Sequence, residues 1–155
     1  MRARIAVALI QLVVLALPVL AQTPANTPAP AKPPIPIPVA ELKWTDLDPT
    51  GAPGVKVADV WGDHTKGAFG AFFKLPAGFA APLHTHTHDI KVVIISGLYV
   101  QQPEGKSPFR LGPGSYLMQP GGNYRHTTSC EQGADCVFYA ESDGAFDLLP
   151  VAVSR

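Results

Sequence analysis

The chain has 155 residues, 46% of them hydrophobic and only 15% charged, and its 12 Lys+Arg balance 12 Asp+Glu for a formal net charge of zero. Such a balance carries no basic footprint for nucleic acid, and the length allows one domain once the ends are set apart.

At the N-terminus, Arg2 and Arg4 precede an apolar run over residues 5–20, which is short for a membrane span, interrupted by Pro18 and closed by Val19-Leu20-Ala21. That pattern predicts a secretory signal peptide over 1–21, cut before Gln22, and so an exported, periplasmic or secreted protein with no membrane insertion after cleavage. Without Arg2 and Arg4, ten basic residues face twelve acidic ones, a formal charge of −2. Residues 22–40 carry Pro24, Pro28, Pro30, Pro33, Pro34, Pro36 and Pro38. So dense a run of proline lacks the amide donors of helix or sheet and reads as an extended linker.

Residues 41–155 read as a single domain of short apolar or alternating segments: 55–61, 68–75, 90–96, 98–101, 109–111, 115–119, 136–141 and 146–153. Between them stand turn signals such as Pro76-Ala77-Gly78, Ser96-Gly97, Pro103-Glu104-Gly105, Gly112-Pro113-Gly114 and Pro120-Gly121-Gly122. No sustained helical period occurs, so an all-β sandwich or barrel is expected. The near-continuous run 90–96 suits a central strand covered on both faces, with Lys91 pointing outward.

Chemistry concentrates in one stretch, where His84, His86 and His88 follow one another at alternate positions, with His126 after Pro120-Gly121-Gly122. Alternate residues of an extended strand share a face, so His84 and His86 can aim two imidazoles at one point. Ligand type and spacing therefore point to a metal site, whereas His64 beside Asp63 reads as an exposed loop residue. Cys130 and Cys136 enclose five residues, and in an exported chain a disulfide between them is favoured over a thiol pair joining the metal site.

These residues resemble the cupin superfamily. Its first motif runs Gly, five residues, His-x-His, three or four residues, Glu, six residues, Gly; here Gly78, His84-Thr85-His86 and Gly97 fit, while the Glu position falls on Ile90 or Lys91. Its second runs Gly, five residues, Pro-x-Gly, two residues, His; here Gly114 and Pro120-Gly121-Gly122 fit, the His position falls on Arg125, and the imidazole comes one residue later at His126. A turn can absorb that extra residue. The resemblance implies a cupin-type double-stranded β-helix, a jelly-roll barrel. It also implies a ligand set of His84, His86 and His126, with a fourth place taken by water, His88 or Asp89.

Such a set suits one divalent transition metal, Fe, Mn, Ni, Cu or Zn, without choosing among them. Arg125 could grip a substrate carboxylate or enolate if it points inward, and Tyr124 could donate to a bound ligand. Tyr99, Tyr116 and Tyr139 also fall in or near strands that line a cupin barrel. Two functional readings follow from the resemblance: a metal-dependent oxidoreductase, dioxygenase-like, acting on a small organic molecule, and a non-catalytic metal- or ligand-binding cupin with a sensing or stress role. A small-molecule partner and a homodimer are implied in the same way.

Overall fold

The computed structural model describes residues 31–152; the expected signal peptide and the first part of the linker lie outside the described residues. Residues 31–38 of the linker are exposed and carry no regular structure, as their proline content requires.

Eleven strands follow: β1 Thr45–Asp48, β2 Ala52–Gly62, β3 Phe69–Leu75, β4 Ala80–Thr85, β5 Ile90–Ser96, β6 Tyr99–Pro103, β7 Phe109–Leu111, β8 Tyr116–Gln119, β9 His126–Cys130, β10 Cys136–Ser142 and β11 Leu149–Pro150. They form two antiparallel sheets, one ordered β1-β2-β3-β10-β5-β8 and the other β11-β4-β9-β6-β7. This is the jelly-roll expected from the resemblance.

Alternation decides which side chains meet between the sheets. On β10 the buried positions are Cys136, Phe138, Ala140 and Ser142, and on β5 they are Ile90, Val92 and Ile94. Phe73 stacks on Phe138 with centroids 5.4 Å apart and meets Phe69 edge-on at 6.2 Å. Full burial of each such aromatic or branched side chain contributes about 1.5–3 kcal/mol. The expectation of a doubly covered strand over 90–96 is corrected: Val93 and Ile95 are 41% and 45% exposed on the outer face, beside Lys91. One sheet face packs on the core and the other meets solvent, as antiparallel sheets allow.

Cys130 closes β9 and Cys136 opens β10, and their disulfide, with Cα atoms 5.7 Å apart, ties one sheet to the other. Of the segment 146–153, expected as a strand, the described residues pair at Leu149 and Pro150, and residues 143–148 form an irregular strap instead. Strands β4 and β9 were not among the apolar segments, because their inward positions carry His84, His126 and Thr128 where a core strand would carry aliphatic residues.

Candidate metal centre

A register shift brings the site together. On β4 and β9, Ala81 faces Thr128 and His84 faces His126, so three steps along one strand match two along the other. That extra residue is a bulge, and it turns His84 to the inner face that Ala81 already occupies. Pro82 sits in the bulge, where its missing N–H costs no ladder bond, and its carbonyl accepts the His84 Nδ1–H at 2.7 Å.

His86 lies just past β4, as the chain bends away. Its Nδ1–H donates to the carbonyl of Asp147 in the strap, while the Asp147 carboxylate accepts the Thr87 N–H at 2.8 Å and the Thr87 hydroxyl. His126 opens β9 and donates its Nδ1–H to the Tyr124 carbonyl at 3.1 Å. The extra residue of the second motif is absorbed by the irregular stretch 121–125. Two hydrogen bonds lock the motifs to each other: Gly122 N–H to the His86 carbonyl and Gly121 N–H to Asp89 Oδ1, both at 2.8 Å. At Gly121 a Cβ would stand 2.5 Å from the Thr87 carbonyl oxygen, so only glycine permits this approach.

The outcome is three buried imidazoles whose ligand atoms all lie within 4.8 Å of one another. Burial pushes the pKa of His84 down, and pushes His86 and His126 down to about 4. All three are therefore neutral at pH 7. With Nδ1 protonated and bonded to a carbonyl, each ring keeps Nε2 as a lone-pair donor, the tautomer a metal requires. His126 Nε2 is buried without a protein partner, a group that would be costly to leave unsatisfied. The residues present thus fit a transition metal ion.

Other expected residues fall elsewhere. His88 is exposed, its ring against Gly144, and Asp89 is spent on Gly121. Arg125 pairs with Glu104 at 3.0 Å near the surface. Tyr124 stacks on His126 with centroids 5.1 Å apart and accepts a hydrogen bond from Gln101. Tyr99 is buried, and burial pushes its hydroxyl up to about 12. Tyr116 and Tyr139 do not line the interior: Tyr116 is 59% exposed, and Tyr139 accepts the Trp61 indole N–H on the outer face. His64 is not an open loop residue, since its Nδ1 sits 2.9 Å from Asp59 Oδ2 and its side chain is 13% exposed.

Sequence reasoning passed over Asp147, Gln101 and Gln119. The two glutamines are buried, and a single polar residue inside an apolar strand segment, as at Gln119, was the available signal. Asp147, alone between Phe146 and Leu148, offered the same one.

His84 and His86 face an apolar cavity of about 70 Å³ between the sheets, with Phe73, Val92, Phe138 and Phe146 among its walls. A jelly-roll holding three histidines at this point is a cupin. The chain belongs to the family described as Domain of unknown function (DUF4437), whose model matches residues 37–153. Among solved structures, the polyketide cyclase RemF from Streptomyces resistomycificus matches with a TM-score of 0.64 and 16% identity, over 81% of this chain and 89% of that one. KdgF from Halomonas sp. matches at 0.54 and 23% identity, over 69% and 93%. The DMSP lyase DddQ from Ruegeria pomeroyi matches at 0.55 and 22% identity, over 68% and 57%. No curated protein matches the chain in sequence.

Proposed function

We propose that this protein is an exported, metal-dependent cupin enzyme, dioxygenase-like, acting on a small and largely apolar organic molecule. The observation that carries the reading is the set of three neutral imidazoles, each fixed through Nδ1 to a backbone carbonyl, two of which, His84 and His86, line an apolar cavity. When bound, a divalent ion (Fe, Mn, Ni, Cu or Zn) would supply a Lewis acid with open positions for oxygen or substrate. His84, His86 and His126 would hold it. The bulge at Pro82 and the strap carbonyl of Asp147 keep the rings oriented, and the Phe73, Phe138 and Phe146 walls keep water out.

Among the described residues, no carboxylate, Lys or Arg lines the cavity; its polar groups beyond the histidines are Tyr99, Gln119 and Thr128. That favours a reaction asking little of protein acids and bases, as oxygen chemistry does. Similar folds named as a cyclase and a lyase support action on small molecules. The disulfide, and the lack among the described residues of a helix long and apolar enough to cross a membrane, are compatible with export.

The same shortage of acid and base groups favours a second reading, a cupin that binds a metal or ligand without turnover. Elemental analysis followed by oxygen-uptake assays on a panel of phenols and β-dicarbonyls separates the two. One equivalent of metal and oxygen uptake that vanishes in His86→Ala supports the enzyme. Metal retained with no uptake, but with thermal stabilisation by a ligand, selects the binding protein. A metal-free protein after reconstitution removes the metal site from both.

A further inference from the structure

The cavity at the triad has a volume of about 70 Å³, well below that of typical small-molecule sites. Next to it lies a groove of about 420 Å³, inside the range of about 300–1,000 Å³ typical of small-molecule sites. Leu47, Ala52, Phe79, Ala81, Phe146 and Leu148 face both spaces, so the partition between them is a single layer of side chains.

The groove differs from the cavity in its polar lining. Asp48, His64, Thr65 and Asp147 face it, and among the described residues neither space is lined by Lys or Arg. A carboxylate or phosphate would find two acidic residues and no cation to pair with.

His64 is built into this wall. Its Nδ1 lies 3.1 Å and 2.9 Å from the two carboxylate oxygens of Asp59. A carboxylate only accepts, so Nδ1 carries the proton and donates. Its backbone carbonyl accepts the Phe146 N–H at 2.7 Å, which fixes the ring relative to the strap. With Nδ1 taken, Nε2 is the nitrogen left for a ligand, and in the neutral ring it accepts a hydrogen bond.

We propose that the groove is the substrate vestibule of the metal cavity, and that His64, oriented by Asp59, accepts the hydrogen bond of an uncharged substrate that joins an apolar body to one hydroxyl. The proposal rests on the metal-site reading only in placing that molecule beside the triad. Occupancy of the groove and its charge preference stand apart from the metal.

Three probes with one body test it: 4-ethylphenol, 4-ethylbenzoate and ethylbenzene, titrated calorimetrically at pH 7 into metal-loaded and chelator-treated protein. Saturable binding of the phenol in both forms, at least about tenfold tighter than the benzoate, is expected. His64→Ala should weaken the phenol about 5- to 10-fold, the size of one lost hydrogen bond, while leaving ethylbenzene and metal content unchanged. Asp59→Asn should act in the same direction with a smaller effect and serves if His64→Ala does not fold. Equal affinity for phenol and benzoate, no saturable phenol binding, or an unchanged phenol affinity in both variants would overturn the proposal. Phenol binding without any metal uptake would instead retain the vestibule and remove the metal reading.

Discussion

The molecule holds histidines in two contrasting settings. In the triad, each Nδ1–H meets a backbone carbonyl, from Pro82, Asp147 or Tyr124, inside a water-poor wall. At His64, Nδ1 meets the carboxylate of Asp59 at the lip of an open groove. A carbonyl is a neutral partner and adds no charge to hold a proton, so burial wins and the triad rings stay neutral; at His64 the Asp59 carboxylate accepts the Nδ1–H and orients the ring. The first environment leaves three imidazole ligand atoms within 4.8 Å of one another, a set that could hold a metal, and the second leaves His64 Nε2 for a hydrogen bond. The partner of the second nitrogen, more than the imidazole itself, sets the role.

Removing rings from the two settings gives the largest expected difference. His86→Ala and His126→Ala should each lower metal affinity by more than about 100-fold, beyond the roughly 10–100-fold of changes outside the ligand set. His64→Ala should leave metal content at the wild-type value. Equal metal loss in all three would erase the contrast, and elemental analysis decides it.

Acid should expose the triad in the metal-free protein. His86 and His126 have folded values of about 4, against an ordinary 6.5. Above pH 6.5 both rings are neutral in the folded and unfolded states, and the full stability is present. As the pH falls through that window toward about 4, the unfolded chain takes up protons that the buried rings refuse, so stability is lost, at up to about 1.4 kcal/mol per pH unit for each ring. Urea unfolding of chelator-treated protein between pH 7 and 4 measures the slope, and His126→Asn should make it shallower. A flat profile would mean that the rings are not held neutral.

A smaller effect belongs to the residue that braces His86. Asp147→Ala removes the acceptor of the Thr87 N–H and hydroxyl while sparing the backbone carbonyl that holds the ring. Metal affinity should fall about tenfold with the circular dichroism spectrum unchanged; an unchanged affinity would show that the carbonyl alone suffices. Smallest of all, Asp59→Asn should cost less than about 1 kcal/mol of stability, because that pair is partly solvated.

Some of this was legible in the chain. The eight apolar segments located most strands of the six-stranded sheet because their side chains alternate against one common core, and β10 shows that alternation without a break. The His-bearing strands were not announced by an apolar pattern, since a site replaces the aliphatic residues; for β4 the alternation of His84 and His86 was the signal. Arg125 and Tyr124 looked equivalent as neighbours of His126, yet one pairs with Glu104 and the other stacks on the ring. No local rule distinguishes these outcomes, because Glu104 arrives from another loop.

By itself the sequence determined the all-β class, the chemistry of the ligands and the disulfide partners, since alternation, residue type and short spacing are local properties. Only the tertiary structure decided that His84 turns inward, that Asp147 orients His86, and that His64 stands with Asp59 on a groove beside the cavity. Each depends on a bulge, a strap or a strand pairing that joins residues far apart in the chain, and contacts of that kind are fixed by the packing of the two sheets.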